Sequence, residues 1–192
     1  AAGQPFQMTL TGFKWIGRVP GLTFGYEEAI GYCTDPEGVA DKDGISTLTR
    51  VLALVAALKA EGSTVQGRLD EIARTHGVHL TAPLSFRVSD LSLISDAMAR
   101  LRADLPTELA GVPVTASDLG EGWNGLPPTD GVLFEGEGVR AVARPSGTEP
   151  KLKVYLQVSL PPERSGDLDA ARAEAAAVME QLKADMAAAL GL

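Results

Sequence analysis

The chain has 192 residues, of which 45% are hydrophobic and 22% charged, a composition typical of a folded protein with one large domain or two small ones. Its formal net charge of −8 argues against a general nucleic-acid-binding or anionic-membrane-binding surface, which needs a basic field. The single cysteine, Cys33, cannot form an internal disulfide, and no apolar run is long enough to cross a bilayer, so we expect a reducing, cytoplasmic location.

The first part of the chain predicts strands and loops followed by two helices. Residues 8–32 alternate short apolar pieces with glycines, which indicates strands and functional loops rather than helix. A helical pattern then starts after Asp43, a suitable N-cap, and stops at Gly62. A second helix opens at Ser63-Thr64 and ends at His76-Gly77. One face of the first helix carries an apolar stripe: Ile45, Leu48, Leu52 and Val55.

The second part predicts helices flanking antiparallel strands. Residues 78–88 alternate as an extended segment, and Ser89-Asp90 precedes a helix. Four further segments are predicted as short strands: 112–115, 132–134, 139–143 and 152–158. The Ala-rich segment 167–190 is predicted as a helix that packs on the sheet, with a coiled coil as the less favoured alternative because its inner face has few bulky residues.

These patterns predict two domains of different class. Residues 1–80 are expected to form an α/β unit, and residues 81–192 an α+β unit with helices on one face of an antiparallel sheet. The predicted fold class is therefore α/β plus α+β.

The segment 144–151 has the composition of a phosphate-binding loop. Arg144 offers a planar fork of donors, Ser146 and Thr148 offer hydroxyls, and Lys151 adds a point charge. Gly147 lets the backbone turn so that successive N–H groups point inward as an anion nest. The alternative is an ordinary polar hairpin loop, although the segment is denser in donors than a turn requires.

Three segments of the first domain carry further polar groups suited to ligand binding. Residues 11–15 combine Thr11, Gly12 and Lys14, and a surface turn is an equally good interpretation of them. Glu27 and Glu28 lie in a glycine-flanked loop, where a carboxylate could accept sugar hydroxyls or act as an acid or base; a solvated acidic loop is the alternative. Lys42 lies at a helix start, where the dipole disfavours a cation unless an anion is bound nearby.

Other reactive residue types have simpler interpretations. His76 and His79 have the spacing of a metal pair, but no Cys, Asp or Glu stands at a useful distance in sequence, so no metal site is predicted. Cys33 has no evident activating base and is predicted to be structural, and Trp123 is predicted to be a packing anchor.

Four segments, in order and with matching spacing, resemble the α-D-phosphohexomutase superfamily, which includes phosphoglucomutases, phosphomannomutases and phosphopentomutases. They are Thr-Leu-Thr-Gly-Phe-Lys-Trp at 9–15, Phe-Gly-Tyr-Glu-Glu-Ala-Ile-Gly at 24–31, Asp-Lys-Asp-Gly at 41–44 and Arg-Pro-Ser-Gly-Thr-Glu-Pro-Lys at 144–151. The resemblance implies the later part of the family's third domain, an α/β unit, followed by its fourth, a TATA-binding-protein-like sheet with flanking helices.

The resemblance also implies a reaction and roles for individual residues. A phosphoserine and a Mg²⁺ site, both on domains that are not in this chain, would move phosphate between the 1 and 6 (or 5) positions of a hexose or pentose through a bisphosphorylated sugar of the glucose 1,6-bisphosphate type. By the same resemblance, Arg144, Ser146, Gly147, Thr148 and Lys151 bind phosphate. The resemblance also implies that six residues bind the sugar: Glu27, Ala29, Thr11, Gly12, Lys14 and Lys42. Lys42 is in addition a possible assistant in proton transfer.

Two further expectations follow. One comes from the parts of the family's catalytic site that this sequence lacks, and the other from one position at which it differs from the family pattern. Without the nucleophile and the metal site, the chain alone is expected to be inactive and to need the missing N-terminal domains of the same polypeptide. Many family members have Ser where this chain has Ala29, which leaves the sugar identity open and favours the branch with phosphopentomutases and some phosphoglucomutases or phosphomannomutases. The competing hypothesis is a stand-alone phosphosugar-binding module or regulatory protein.

Overall fold

The computed structural model describes residues 3–29, 31–146 and 149–192. Its helices and strands, in chain order, are α1 (Phe13–Ile16), β1 (Gly25–Glu27), β2 (Gly31–Cys33), α2 (Gly44–Ala60), α3 (Val65–His76), β3 (Val78–Arg87), α4 (Ser92–Ala103), β4 (Glu108–Leu109), β5 (Val112–Asp118), β6 (Val132–Gly136), β7 (Val139–Pro145), β8 (Lys151–Leu160) and α5 (Leu168–Leu190). Single 3₁₀ turns lie at Leu119–Glu121 and Pro162–Arg164.

The chain divides into two compact units, residues 1–69 and 70–192. Residues 70–80, which the sequence pattern assigns to the first domain, belong to the second unit, because β3 starts at Val78 and pairs with β8 along its length. The division into family domains at 1–80 and 81–192 stays a prediction.

The first unit contains α1, α2, the first turn of α3 and a two-stranded hairpin. Asp43 caps α2 by accepting hydrogen bonds from the backbone N–H groups of Ile45 and Ser46, at 3.0 and 3.1 Å. Past the end of the helix, Gly62 has a φ of +71°, a left-handed conformation that glycine adopts at low cost. Both predicted boundaries of this helix are therefore confirmed.

Residues 8–32 differ from the sequence prediction at one point, because α1 is a single helical turn where only strands and loops were expected. Gly12 precedes it with a φ of +113°, and the backbone N–H groups of Trp15 and Gly17 close the turn on Gly12 and Phe13, both at 2.9 Å. Four residues are too few to show a helical period, so the sequence pattern could not reveal this turn.

The apolar stripe of α2 is exposed. Ile45 is 79% accessible, Leu48 and Leu52 are each 58% accessible, and Leu58 is the one residue of this helix that is buried. The predicted periodicity is confirmed, but no element in the described part of the chain covers the stripe. An apolar helix face of this size is typical of a surface that packs against another element.

We expect this stripe to bind hydrophobic dyes in the isolated chain. Replacing Leu48 and Leu52 together by Lys should lower the fluorescence of bound anilinonaphthalenesulfonate and reduce any concentration-dependent association seen by light scattering. The same double change at the exposed Thr49 and Ala53, which have the same spacing on the helix, serves as the control. Equal dye binding in the two variants would contradict the assignment of the stripe as the sticky surface.

The second unit is built on one six-stranded antiparallel sheet with the order β3-β8-β7-β6-β5-β4. The sequence pattern predicted β5 to β8 as short strands and residues 78–88 as an extended segment. That segment is β3, which pairs with β8 from Val78↔Leu160 to Arg87↔Lys151, and the short β4, which was not predicted, pairs with β5. Strand pairing over such a sequence separation is non-local, so alternation alone could not assign β3 to this sheet.

One face of the sheet and the helices α4 and α5 enclose the core of the second unit. Every second residue of β8 faces this core: Leu152, Val154, Leu156, Val158 and Leu160. The α5 residues buried against it are Leu168, Ala171, Ala175, Met179, Leu182, Met186 and Leu190. Packing of α5 on the sheet is thus confirmed over the coiled-coil alternative, and the alanines let the helix lie close to the strands.

Arg102 of α4 joins the end of β5 to the loop before β6. Its Nε lies 2.7 Å from Asp118 Oδ2, and its Nη2 lies 2.7 Å from Asp130 Oδ1. The hydrogen bond from Arg102, and after it one from the Gly120 backbone, holds the pKa of Asp118 below its usual value.

We expect this ion pair to contribute to the acid dependence of stability. Because the pKa of Asp118 is lower in the folded than in the unfolded chain, its contribution is complete above about pH 4, the unfolded value, and is lost as the pH falls through the folded pKa. Arg102→Gln should therefore flatten the decline of the free energy of unfolding below about pH 4, measured by urea denaturation. Lys183→Gln, which breaks an exposed pair on α5, is the matched control. If the free energy of unfolding falls equally with acid in the wild type, Arg102→Gln and Lys183→Gln, the ion pair does not contribute to the acid dependence.

No helix in the described part of the chain is long and apolar enough to span a membrane.

Candidate functional site

The hairpin of the first unit places Glu27 over a small buried cluster. Gly25 pairs with Cys33, and Glu27 pairs with Gly31 at the end of the hairpin. Phe13 of α1 is 5% accessible and Cys33 is fully buried. The first unit therefore positions Glu27 by strand pairing on one side and by the packing of α1 on the other.

Glu27 and Lys42, which the sequence suggested separately, form a short ion pair. Lys42 Nζ lies 2.6 Å from Glu27 Oε1 and 5.7 Å from the centre of the Phe13 ring. The Lys42 backbone is held by Asp41, whose carboxylate accepts its N–H at 2.7 Å. The hydrogen bond with Glu27 raises the pKa of Lys42, which favours the protonated form of this side chain.

The second carboxylate oxygen of Glu27 is buried without a hydrogen-bond partner among the described residues. A buried acceptor in this condition is uncommon, because an unsatisfied polar group costs about 1–3 kcal/mol. The Glu27 side chain is only 12% accessible, so bulk water reaches it poorly. A ligand hydroxyl donating to Oε2 would satisfy the carboxylate.

The remaining sugar-side candidates of the first unit lie on or beside α1 and the hairpin turn. Thr11 and Lys14 are exposed, Gly12 precedes α1, and Ala29 is exposed in the turn after β1. Lys14 Nζ lies 5.6 Å from the Trp15 ring, so this cation is supported by an exposed aromatic side chain. The assignment of these four residues to ligand binding stays a prediction.

Gly31 is required for the position of Glu27. A methyl group added at Gly31 would overlap Glu27 Cγ and approach Phe13 Cε2 to 3.0 Å. Neither neighbour can move freely, because Glu27 is hydrogen-bonded to Lys42 and Phe13 is buried.

We therefore expect Gly31→Ala to displace Glu27 and to destabilise the first unit by about 1–3 kcal/mol, the usual cost of overpacking. Urea denaturation followed by tryptophan fluorescence, with Trp123 replaced by Phe in every variant so that Trp15 alone reports, would measure it. Gly44→Ala, at a helix start where an added methyl meets nothing within 4 Å, is the matched control and should be neutral or slightly stabilising. Equal stability of the two variants would contradict the packing argument.

In the second unit, the segment 144–151 connects β7 to β8 as predicted. The Ser146 N–H donates to the Lys151 carbonyl at 2.9 Å, and the Val88 N–H donates to the Pro150 carbonyl at 3.1 Å, which ties the loop to the end of β3. Gly147 and Thr148, both predicted to bind phosphate, lie outside the described residues. Arg144 is half-buried, and its guanidinium has no hydrogen bond or ion pair with a described residue.

Glu149 organises the cations at the end of this loop. Its carboxylate lies 2.6 Å from Lys151 Nζ and 3.7 Å from Arg87. Lys151 first, and then Arg87 and Lys153, lower the pKa of Glu149, so it stays ionised. Sequence reasoning missed Glu149, Arg87 and Lys153 as members of this cluster. The available signal was the polar positions of Arg87 and Lys153 on otherwise alternating strands, and the place of Glu149 within the loop motif.

The structure shows protein contacts for each of the other reactive residues that the sequence analysis singled out. His79 Nδ1 lies 2.9 Å from Ser159 Oγ, and its Nε2 lies 3.1 Å from the His76 carbonyl, so both ring nitrogens have protein partners. Burial raises the pKa of the Cys33 thiol, which donates to the Val39 carbonyl at 3.4 Å. The Trp123 ring stacks against Arg140, 5.7 Å away. The described residues contain no group of three His, Cys, Asp or Glu side chains that could hold a metal ion.

Two family models match the chain in succession. Residues 1–76 match phosphoglucomutase/phosphomannomutase, alpha/beta/alpha domain III, and residues 86–175 match phosphoglucomutase/phosphomannomutase, C-terminal domain. The chain belongs to the phosphohexomutase superfamily. The predicted family and its C-terminal portion are thereby confirmed, and so is the fold class of an α/β domain followed by an antiparallel sheet with flanking helices.

The relatives of this chain are named as three kinds of mutase. The chain is 48% identical to a probable phosphomannomutase from Haemophilus influenzae over 77% of its length, and 32% identical to a phosphoglucomutase from Staphylococcus epidermidis over 80%. It is 30% identical to a phosphopentomutase from Mus musculus over 85% of its length. It covers 30%, 32% and 30% of these relatives, respectively, so the chain spans about a third of the length of the proteins that it matches.

A solved structure of the superfamily shares the fold. The open form of the exocytosis-sensitive phosphoprotein pp63/parafusin, a phosphoglucomutase from Paramecium, aligns with 88% of this chain and 31% of its own at a TM-score of 0.57. Its sequence identity of 19% limits the likeness to the fold.

Proposed function

We propose that the chain is the substrate-recognition part of a phosphosugar mutase. The complete enzyme would move phosphate between the 1 and 6 (or 5) positions of a sugar through a phosphoserine and a bisphosphorylated sugar intermediate. The names of the relatives, a probable phosphomannomutase, a phosphoglucomutase and a phosphopentomutase, support this reaction class and leave hexose and pentose phosphates as substrates.

The observation that carries the proposal is the hydrogen bonding of the two carboxylate oxygens of Glu27. One carboxylate oxygen is bound to Lys42 at 2.6 Å, while the other is buried and unpartnered among the described residues. A sugar offers hydroxyl donors, and a donor at Oε2 would remove the cost of the orphaned acceptor. Lys42, held as a cation, would bind an oxygen of the same ligand or pass a proton to it.

Phosphate binding is proposed for the loop between β7 and β8. Arg144, Ser146, Gly147, Thr148 and Lys151 would supply the donors. Support comes from the half-buried Arg144 guanidinium, which has no partner among the described residues, and from the anchoring of the loop to β3. Positioning and charge stabilisation are the main demands that phosphoryl transfer makes of a protein, and fixed donors of this kind meet them.

The nucleophile and the metal would come from other parts of the complete polypeptide. The described residues do not fit a Mg²⁺ site, which needs clustered oxygen ligands. We therefore propose that this chain alone is inactive, and that the complete enzyme uses Mg²⁺ and a glucose 1,6-bisphosphate type of activator.

The test is steady-state kinetics of the complete polypeptide with glucose 1-phosphate, mannose 1-phosphate and ribose 1-phosphate. We expect Arg144→Ala to raise KM and to lower kcat/KM at least tenfold, the scale of a lost charged hydrogen bond. Glu27→Gln should lower kcat/KM for the sugar phosphate, because the Glu27 side chain is proposed to contact the sugar. The inhibition constant of inorganic phosphate should stay unchanged, because Glu27 is not proposed to contact phosphate. Arg140→Ala, on the same strand as Arg144, is the control. An unchanged kcat/KM in Arg144→Ala would overturn the proposed role of the loop.

A further inference from the structure

A histidine and a serine face each other on the polar face of the sheet, far from the loop that is proposed to bind phosphate. His79 of β3 and Ser159 of β8 are directly paired, and His79 Nδ1 lies 2.9 Å from Ser159 Oγ. Leu160, the next residue of β8, faces the core, so Ser159 lies on the opposite face. β8 begins at Lys151, and the length of strand from there to Ser159 is about 26 Å. The pair is therefore a feature separate from the loop.

A backbone carbonyl fixes the protonation pattern of the neutral His79 ring. The Nε2 atom lies 3.1 Å from the carbonyl oxygen of His76, and a carbonyl oxygen can only accept a hydrogen bond. Nε2 therefore carries the proton, which leaves Nδ1 with the lone pair on the side of Ser159. The Ser159 hydroxyl donates to this nitrogen, so the imidazole is placed as a general base for that hydroxyl.

Backbone contacts hold both members of the pair in place. Gly77 has a φ of +93°, and a methyl group added there would overlap the Leu160 carbonyl, so glycine is required where the chain turns from α3 into β3. This turn sets the carbonyl that orients His79. On the other side, the Ser159 N–H donates to the carbonyl of Gly138 in the β6–β7 hairpin at 2.8 Å. The base and the hydroxyl are thus positioned before any ligand binds.

A surface pocket beside Ser159 has room for a small acyl group. Its volume is about 200 Å³, and it is lined by the β6–β7 hairpin and by β8, including Ser159, Gln157 and Arg140. The Gln157 amide donates to Ser159 Oγ at 3.1 Å, which supports this oxygen as it loses its proton. Arg140 is paired with Gln157 in the sheet and lines the same pocket, where a guanidinium stabilises negative charge on an acyl oxygen.

We propose that Ser159 and His79 form a nucleophilic site that accepts an acyl group from a small activated ester. Ser159 Oγ bonds to the carbonyl carbon of the ester while His79 Nδ1 takes the hydroxyl proton. The bond from that carbon to the alcohol oxygen of the ester then breaks, and this oxygen takes the proton from His79 and departs as the alcohol. A nucleophile within hydrogen-bond reach of a base that a third group orients is the arrangement this chemistry needs, and it recurs on unrelated folds.

Reaction of the complete polypeptide with p-nitrophenyl acetate at pH 8, followed by mass spectrometry of tryptic peptides, tests the proposal. Ser159 is the only serine of peptide 154–164, and the exposed Ser85 is the only serine of peptide 75–87. Fragment spectra distinguish acetyl on Ser159 from acetyl on Tyr155. We expect at least about tenfold more acetyl on Ser159 than on Ser85, a modest part of the effect that a positioned general base gives. Equal acetylation of the two serines, or none at Ser159, would overturn the proposal.

The variant His79→Gln separates base catalysis from simple accessibility of the hydroxyl. The amide oxygen of Gln accepts a hydrogen bond from Ser159 but is too weakly basic to take its proton. Acetylation of Ser159 should therefore fall at least about tenfold, with that of Ser85 unchanged. Ser85→Ala is the matched control and should leave Ser159 acetylation as in the wild type. Undiminished acetylation of Ser159 in His79→Gln, with a Tm like that of the wild type, would also overturn the proposal; if this variant does not fold, the ratio of the two serines in the wild type decides.

Discussion

The pairing of β8 with both β3 and β7 is the constraint on which the second unit depends. β8 contributes a fully alternating strand, with apolar residues facing α5 and polar residues on the other face. A slip of one residue would bring Lys153 into the core and Leu152 or Val154 out of it, at a cost that no surface contact could offset. The same register that protects the core therefore fixes which cations face each other beside the loop that is proposed to bind phosphate.

The first unit depends on a different constraint, the fit of Glu27 against glycine. Gly31 leaves room for the Glu27 side chain because it lacks a Cβ, and Phe13 closes the other side. A carboxylate confined in this way has few rotamers left, so the hydrogen bond to Lys42 forms with little further loss of side-chain entropy. Its second oxygen is nevertheless left without a described partner, and a preorganised acceptor of this kind suits a ligand better than it suits the fold alone.

Local features of the fold could be predicted from the sequence, whereas non-local pairings could not. The cap at Asp43, the end of α2 before Gly62 and the strands β5 to β8 follow from residue types within a few positions of each other. The pairing of β3 with β8 and the opposition of Arg144 to Lys153 join segments that are distant in sequence, and register carries no local signal. Glu27 and Lys42 were each recognised as candidates from their motifs, but only the structure shows that they bond to one another. The exposure of the α2 stripe was likewise unpredictable, because periodicity shows that a face is apolar but not what covers it.

A strongly acidic chain that concentrates cations at one loop gains discrimination as well as affinity. With a net charge of −8, the chain as a whole repels anions, so the local field of Arg87, Arg144 and Lys151 is opposite in sign to that of the rest of the surface. Glu149 tempers that field, because a fully uncompensated cluster would be costly to fold and would hold anions indiscriminately. Because Lys151 and Arg87 share a single carboxylate, Glu149 offsets only part of their positive charge. Charge placement within the sheet, rather than the total charge of the protein, would then decide which ligands bind.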